Sequence, residues 1–311
     1  MAHTAFKGGV QMQKLIRLFS AFIMLITTTQ ATANINVFAC EPEWASLANE
    51  IGGNRIVNYT ATTAYQDPHH IEARPSLIAK IRKADLVICS GAELEIGWLP
   101  LLLKRAANNK IMPGKPGHFE ASAMVTRLDI PTEVNRSMGD VHSSGNPHVH
   151  LDPRRLLTIS EALLTRLITI DPDGTKYYQQ RFDNFSQRWQ KATALWQQQA
   201  KALNGLRIVV HHRDWVYLFD WLGIDIAGAL EPRPGLPTTA QHLVSLKQIL
   251  KTNPAKMIVH TTYQNPRAAQ RFSQITNTPV VELPYTVGGA EQVDNLFDLF
   301  SVTIEKLKGA L

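Results

Sequence analysis

The sequence predicts an α/β fold of two similar lobes, each a mostly parallel sheet flanked by helices, joined by one long helix. Three observations predict it. Short apolar runs alternate with helical patterns between Ile35 and Leu128, the same alternation resumes after Gly205, and residues 171–204 between them form one amphipathic stretch. Strands spaced by helices imply parallel sheets with both faces covered. The expected organisation is a signal segment at 1–33, an N-terminal lobe at 34–170, a linking helix at 171–204 and a C-terminal lobe at 205–311.

The first segment reads as an export signal. Lys7, Lys14 and Arg17 form a basic stretch ahead of Leu18–Ile26, an apolar run too short for a membrane anchor. Ala31-Thr32-Ala33 then gives the small-x-small pattern of a cleavage site. Cleavage is expected after Ala33, and the signal would be complete from a start at Met12. Its loss lowers the formal charge from +6 to +3, because residues 1–33 hold three cations and no acid. A balance of +3 without a basic cluster interleaved with aromatics excludes nucleic acid as a partner. No cysteine sits just after the cut, which argues against a lipid anchor, and no later apolar run is long enough to span a bilayer. With 44% hydrophobic and 19% charged residues, the remaining chain reads as a packed globule rather than a disordered one. A soluble, exported monomer is expected.

Ile35–Cys40 reads as a buried strand, followed by a helix over Glu43–Ile51 with Pro42 at its start and Gly52-Gly53 at its stop. Further strands are expected at Ile56–Thr60, Leu86–Ser90 and Met124–Leu128, with helices at Ser76–Lys83 and Glu93–Leu103 between them. Cys40 and Cys89 close two of these strands; export permits a disulfide, but spacing leaves open whether the thiols bond. In the middle, Tyr178, Phe182, Phe185, Trp189, Ala192, Trp196 and Leu203 recur at helical steps, predicting one apolar face along a helix of about 30 residues and roughly 45 Å. In the second half, strands are expected at Ile208–Val210, Ile224–Ala229, Met257–Val259 and Val280–Leu283. Helices at Trp215–Leu222, Thr239–Leu250, Pro266–Ile275 and Ala290–Lys308 separate them.

Ligands of open α/β sheets bind beyond the carboxyl ends of the strands, so the cleft between two such lobes is where chemistry is sought. Ten histidines follow residue 33, and six of them form close pairs: His69-His70 in QDPHHIEARPS, His148 and His150 in NPHVHLDP, and His211-His212 in VVHHRDW. Asp67-Pro68 and Asn146-Pro147 precede the first two pairs and hold the next residue in a turn. Neutral imidazole is a common Zn²⁺ donor, and three or four donors make a tetrahedral site. No H-E-x-x-H or C-x-x-C occurs, so local spacing alone gives no metal signature.

The segments DPHHIEARPSLIAKIRKADLVICSGAELEIGWLP, NPHVHLDPRR, the long central helix and HHRDWVYLFDWLG resemble the zinc-uptake group of metal-binding receptors of bacterial ABC importers, a cluster that also holds manganese receptors and adhesins. The resemblance spans nearly the whole chain after residue 33. It implies a periplasmic receptor, not an enzyme, that carries Zn²⁺ as transported ligand to a membrane permease with its cytoplasmic ATPase. It also implies ligands at His69, in the Asp-Pro-His turn, and at His148, in the Asn-Pro-His-x-x-Leu-Asp-Pro segment. The third is His212, three residues before Trp215. Manganese receptors of the cluster carry a carboxylate at the third position, so a nitrogen there implies zinc.

At the fourth position the family's frequent Leu-Asp turn is replaced by VVELPYTVGG, where Pro284 offers no donor; Glu282, Tyr285 and water stay open. The acid- and His-rich loop of zinc receptors is reduced to Asp140 and His142 in MGDVHSSGN, read as a solvated turn. His70, His150 and His211 are expected in supporting roles, with His150 hydrogen-bonding beside the site. Glu231, among three prolines, is expected to wall the cleft or face the transporter. Two rival readings stand beside this one: a manganese or other divalent-metal receptor, and a zinc hydrolase with Glu72 or Glu231 as its base.

Overall fold

The structure, a computed structural model, describes residues 34–133, 139 and 141–311. The expected signal segment 1–33 and Asp140 lie outside the described residues. Residues 34–311 form one compact unit.

In the first half, β1 (Ile35–Ala39), β2 (Ile56–Thr60), β3 (Leu86–Cys89) and β4 (His118–Glu120) pair in parallel in the order β2-β1-β3-β4. Helices α1 (Pro42–Gly52), α2 (Pro75–Ile81) and α3 (Leu99–Ala106) connect them. In the second half, β5 (Arg207–Val210), β6 (Asp225–Ala229), β7 (Met257–Thr261) and β8 (Val280–Leu283) repeat the order as β6-β5-β7-β8, again parallel. Helices α6 (Val216–Leu222), α7 (Ala240–Ile249) and α8 (Arg267–Thr276) connect them. The central strands β3 and β7 are buried along their length, as expected of strands covered on both faces.

Four elements differ from the sequence reading. The fourth strand is His118–Glu120, paired with Val87–Cys89, and Met124–Leu128 is not a strand. A three-residue strand is too short to carry a hydrophobic period, so only its partner reveals it. Helix α3 starts at Leu99 rather than Glu93, because Gly91, Ala92 and Glu93 all have positive φ (73°, 48° and 70°) and cannot begin a right-handed helix. The last helix, α9 (Leu296–Gly309), starts six residues after Ala290, where Asn295 caps it by accepting from Phe297 N and Asp298 N. Helix α4 (Pro153–Ile170) is absent from the sequence reading although its signals are plain. Asp152 caps it, Pro153 opens it, and Leu156, Ile159, Leu163 and Leu167 are buried on one face.

The expected long helix is α5 (Thr175–Gln199), 25 residues flanked by single 3₁₀ turns at Pro172–Gly174 and Lys201–Leu203. It runs about 37 Å at 1.5 Å per residue. Tyr178, Phe185, Trp189 and Trp196 of the expected stripe are buried. It packs against α1 and α4 of the first half and α9 of the second. Trp189 Nε1 donates to Pro153 O at 2.7 Å, and Trp196 Nε1 donates to Ser301 Oγ at 3.0 Å, so one helix is fastened to both lobes. The largest apolar cluster is continuous from Ile35 and Val37 through Trp189 to Val210 and Phe300, with a smaller cluster on the outer face of each sheet.

Because β1 and β3 are neighbours, the residues at and just past their ends are brought together. Cys40 and Cys89 are joined as a disulfide with Cα atoms 4.9 Å apart, which decides the point that spacing left open.

Candidate metal centre

The ends of the strands carry the site. His69 follows β2, His148 lies before α4, His212 follows β5, Glu231 follows β6 and Tyr285 follows β8. The Asp-Pro-His and Asn-Pro-His turns fold alike: Asp67 Oδ1 accepts from His69 N and Asn146 Oδ1 accepts from His148 N, each at 3.0 Å. In both turns a side-chain oxygen stands in for the backbone acceptor of a tight turn. Each is pinned from outside as well. Trp98 Nε1 donates to Pro68 O at 2.9 Å, while Tyr217 Oη donates to Asn146 O at 2.6 Å and Asn146 Nδ2 to Arg213 O at 2.8 Å.

His69, His148 and His212 converge, each offering a ring nitrogen within 4.8 Å of the others. Every ring is fastened at Nδ1. His69 Nδ1 meets Asp67 Oδ1 at 2.8 Å, His212 Nδ1 meets Glu231 Oε2 at 2.7 Å, and His148 Nδ1 meets the Tyr285 hydroxyl at 2.7 Å. A proton held on Nδ1 by an acceptor leaves Nε2 as a lone-pair donor, the arrangement outer partners impose on metal-bound imidazole. His148 Nε2 is buried without a hydrogen-bond partner, an orphaned atom that a cation would satisfy. Asp214, fully buried, brings Oδ1 to 3.7 Å from that nitrogen while accepting from Tyr263 Oη and Gln264 Nε2. It supplies negative charge beside the imidazoles.

Electrostatics divide the imidazoles. Burial, reinforced by His69 and His212, pushes His148 well below its ordinary pKa. For His212 burial acts in the same sense, but Asp214 and Glu231 outweigh it and raise the pKa to about 9. Burial and the neighbouring Tyr263 and Glu43 keep the Tyr285 phenol far above its usual range, so it stays protonated.

Two expectations about the fourth position change. Glu282 lies exposed on β8 while Val281 and Leu283 turn inward, so the strand alternation directs it away from the centre. His142, expected in a solvated turn, instead places Nε2 3.2 Å from His69 Nε2, with its ring 6.4 Å from that of His148. Burial, then His69 and His212, lower its pKa to about 3. Its loop carries no secondary-structure period, and only the presence of a His among small and polar residues could have flagged it. His150 is buried, with Nε2 3.0 Å from Tyr285 O and Nδ1 3.3 Å from Glu43 Oε1, so it holds the residue that holds His148. His211 lies 3.9 Å from Glu231 Oε1, and His70 is exposed. His118, His242 and His260 bond locally to Ile111 O, Ala229 O and Thr261 O, away from the centre. Of the two carboxylates considered as a hydrolytic base, Glu72 is exposed and Glu231 accepts from both His212 Nδ1 and Gly235 N.

Residues 37–310 match the family described as zinc-uptake complex component A, periplasmic (ZnuA). The metal ABC transporter substrate-binding lipoprotein SloC of Streptococcus mutans is 22% identical over 297 residues, covering 91% of this chain and 93% of SloC. The manganese ABC transporter substrate-binding lipoprotein ScaA of Streptococcus gordonii is 23% identical over 318 residues, covering 96% of this chain and 97% of ScaA. A crystal structure of ZnuA superposes with a TM-score of 0.74 at 18% identity, over 89% of this chain and 99% of that one.

Proposed function

The chain belongs to the periplasmic zinc-uptake component A family, and on that premise we propose that the cargo of its cleft is Zn²⁺, bound by His69, His148 and His212. The family is one of substrate-binding receptors of metal ABC transporters, not enzymes, which implies a membrane permease and an ATPase as partners. In this reading the receptor works as a monomer in the periplasm.

The observation that carries the zinc reading is the fastening of all three imidazoles at Nδ1. Neutral nitrogen donors suit Zn²⁺, whereas Mn²⁺ favours carboxylate and carbonyl oxygen. Asp214, the carboxylate 3.7 Å from His148 Nε2, already accepts two hydrogen bonds. Helix α5, tied to both lobes, favours release through a small shift of loops over a wide hinge.

A manganese receptor is the second reading, because relatives such as ScaA carry manganese in their names. Competition between Zn²⁺ and Mn²⁺ for metal-free protein separates the two. Zinc is expected to displace manganese at equal concentration, and His69→Ala, His148→Ala and His212→Ala each to weaken zinc binding by at least about tenfold. Manganese bound as tightly as zinc, or three variants that bind like the parent, overturns the proposal.

A further inference from the structure

We infer that His142 supplies a fourth nitrogen to the metal, so that the centre is an all-imidazole tetrahedron rather than three imidazoles with a carboxylate or water. The inference rests on the zinc reading above and adds one residue to it.

The first argument is distance. In a tetrahedral site with bonds of about 2.0–2.1 Å, two nitrogen donors stand about 3.3–3.4 Å apart. His142 Nε2 and His69 Nε2 are 3.2 Å apart, close to one edge of such a tetrahedron, and His69 is itself one of the three converging residues.

The second argument is orientation. His69 is anchored at Nδ1 by Asp67 Oδ1, so the nitrogen it turns toward His142 Nε2 is the one left free for a cation. A metal ion bound there would be shared by both facing atoms.

The third argument is that His142 is held in place by a dedicated turn. The left-handed run Gly91, Ala92, Glu93 follows β3 and presents the Glu93 carboxylate to the loop. That carboxylate accepts from Ser143 N at 2.6 Å and from Ser143 Oγ, Ser143 being the residue next to His142. Ala92 and Glu93 are not glycine, so their positive φ is strained. Strain retained beside a binding site marks a conformation that the site requires. A fourth nitrogen also sharpens selectivity, since each imidazole in place of an oxygen donor moves the site further from the preference of Mn²⁺.

X-ray absorption at the zinc edge of the zinc-loaded full chain, together with zinc affinity by chelator competition, tests this. The parent is expected to show four imidazoles. His142→Ala is expected to show three plus one oxygen, with affinity lower by at least about tenfold and a narrower preference for zinc over manganese. Three imidazoles plus oxygen in both proteins, with equal affinities, would mean that His142 merely lies beside the centre and would overturn the inference while leaving the three-histidine reading intact. His148→Ala serves as the control. If it too binds zinc like the parent, the three-histidine reading fails and this inference falls with it.

Discussion

The Nδ1 atom of His148 lies 2.7 Å from the hydroxyl of Tyr285, a residue 137 positions later in the chain, with both side chains buried. The His148 ring, from the first half of the chain, is thus aimed by a phenol from the second, and the phenol's own backbone carbonyl is held by His150 at 3.0 Å. On the reading proposed above, residues that never touch the metal control how well it binds.

Tyr285→Phe removes the hydroxyl and leaves the ring volume. Zinc affinity is expected to fall about 10–100-fold, as for other losses of an outer partner. The buried Nδ1–H then lacks an acceptor, which lowers stability by about 1–3 kcal/mol. Calorimetric titration of zinc and urea melts of the metal-free variant check the two effects separately. An unchanged affinity would show that Tyr285 does not orient the ligand.

Proton release reports on His212. Burial disfavours its cation, yet Asp214 and Glu231 raise its pKa to about 9 in the metal-free protein, against about 6.5 when unfolded. Its contribution to folding is therefore fully present below about pH 6.5 and lost as pH rises through about 9. Zinc must displace that proton. Between pH 7 and 8, uptake is expected to release close to one proton from His212, with apparent affinity rising about tenfold per pH unit. Titration in buffers of different ionisation enthalpy measures the release. Glu231→Gln should reduce it, and a binding enthalpy independent of buffer in the parent would refute the assignment.

The Cys40–Cys89 disulfide closes a loop with a sequence separation of 49. Chain entropy puts its contribution at about 4 kcal/mol for a loop of that length. The double variant Cys40→Ala, Cys89→Ala is expected to lose about 2–4 kcal/mol in urea unfolding while keeping its zinc stoichiometry, because neither sulfur belongs to the three-histidine centre. A loss of zinc binding without a loss of stability would contradict this.

Trp189 lies at the middle of the linking helix, with Phe185, Phe297 and Phe300 around its ring and Pro153 O on its Nε1. Trp189→Ala is expected to cost about 3–5 kcal/mol. Since the large core is continuous across both halves, unfolding should stay a single transition. Two separated transitions in calorimetry would show instead that the lobes fold independently of this helix.

Much of the fold was legible because its signals are local. The strands Ile35–Ala39 and Val280–Leu283, and the stripe from Tyr178 to Trp196, declare themselves by period and composition. Helix α4 was equally legible from Asp152-Pro153 and its apolar face, and was overlooked. His118–Glu120 was not legible, because a strand of three residues exists only through its pairing with Val87–Cys89.

By itself the sequence determined the two αβ halves, the linking helix and the Asp-Pro-His and Asn-Pro-His turns, all consequences of short-range backbone preference and hydrophobic period. Its resemblance to metal receptors singled out His69, His148 and His212. Only the tertiary structure decided what surrounds them. The pairing of β1 with β3 made Cys40 and Cys89 a disulfide, strand alternation turned Glu282 outward, and a loop held by Glu93 at Ser143 set His142 beside His69. These outcomes depend on residues dozens of positions apart arriving within hydrogen-bonding distance, and no local pattern encodes such a meeting.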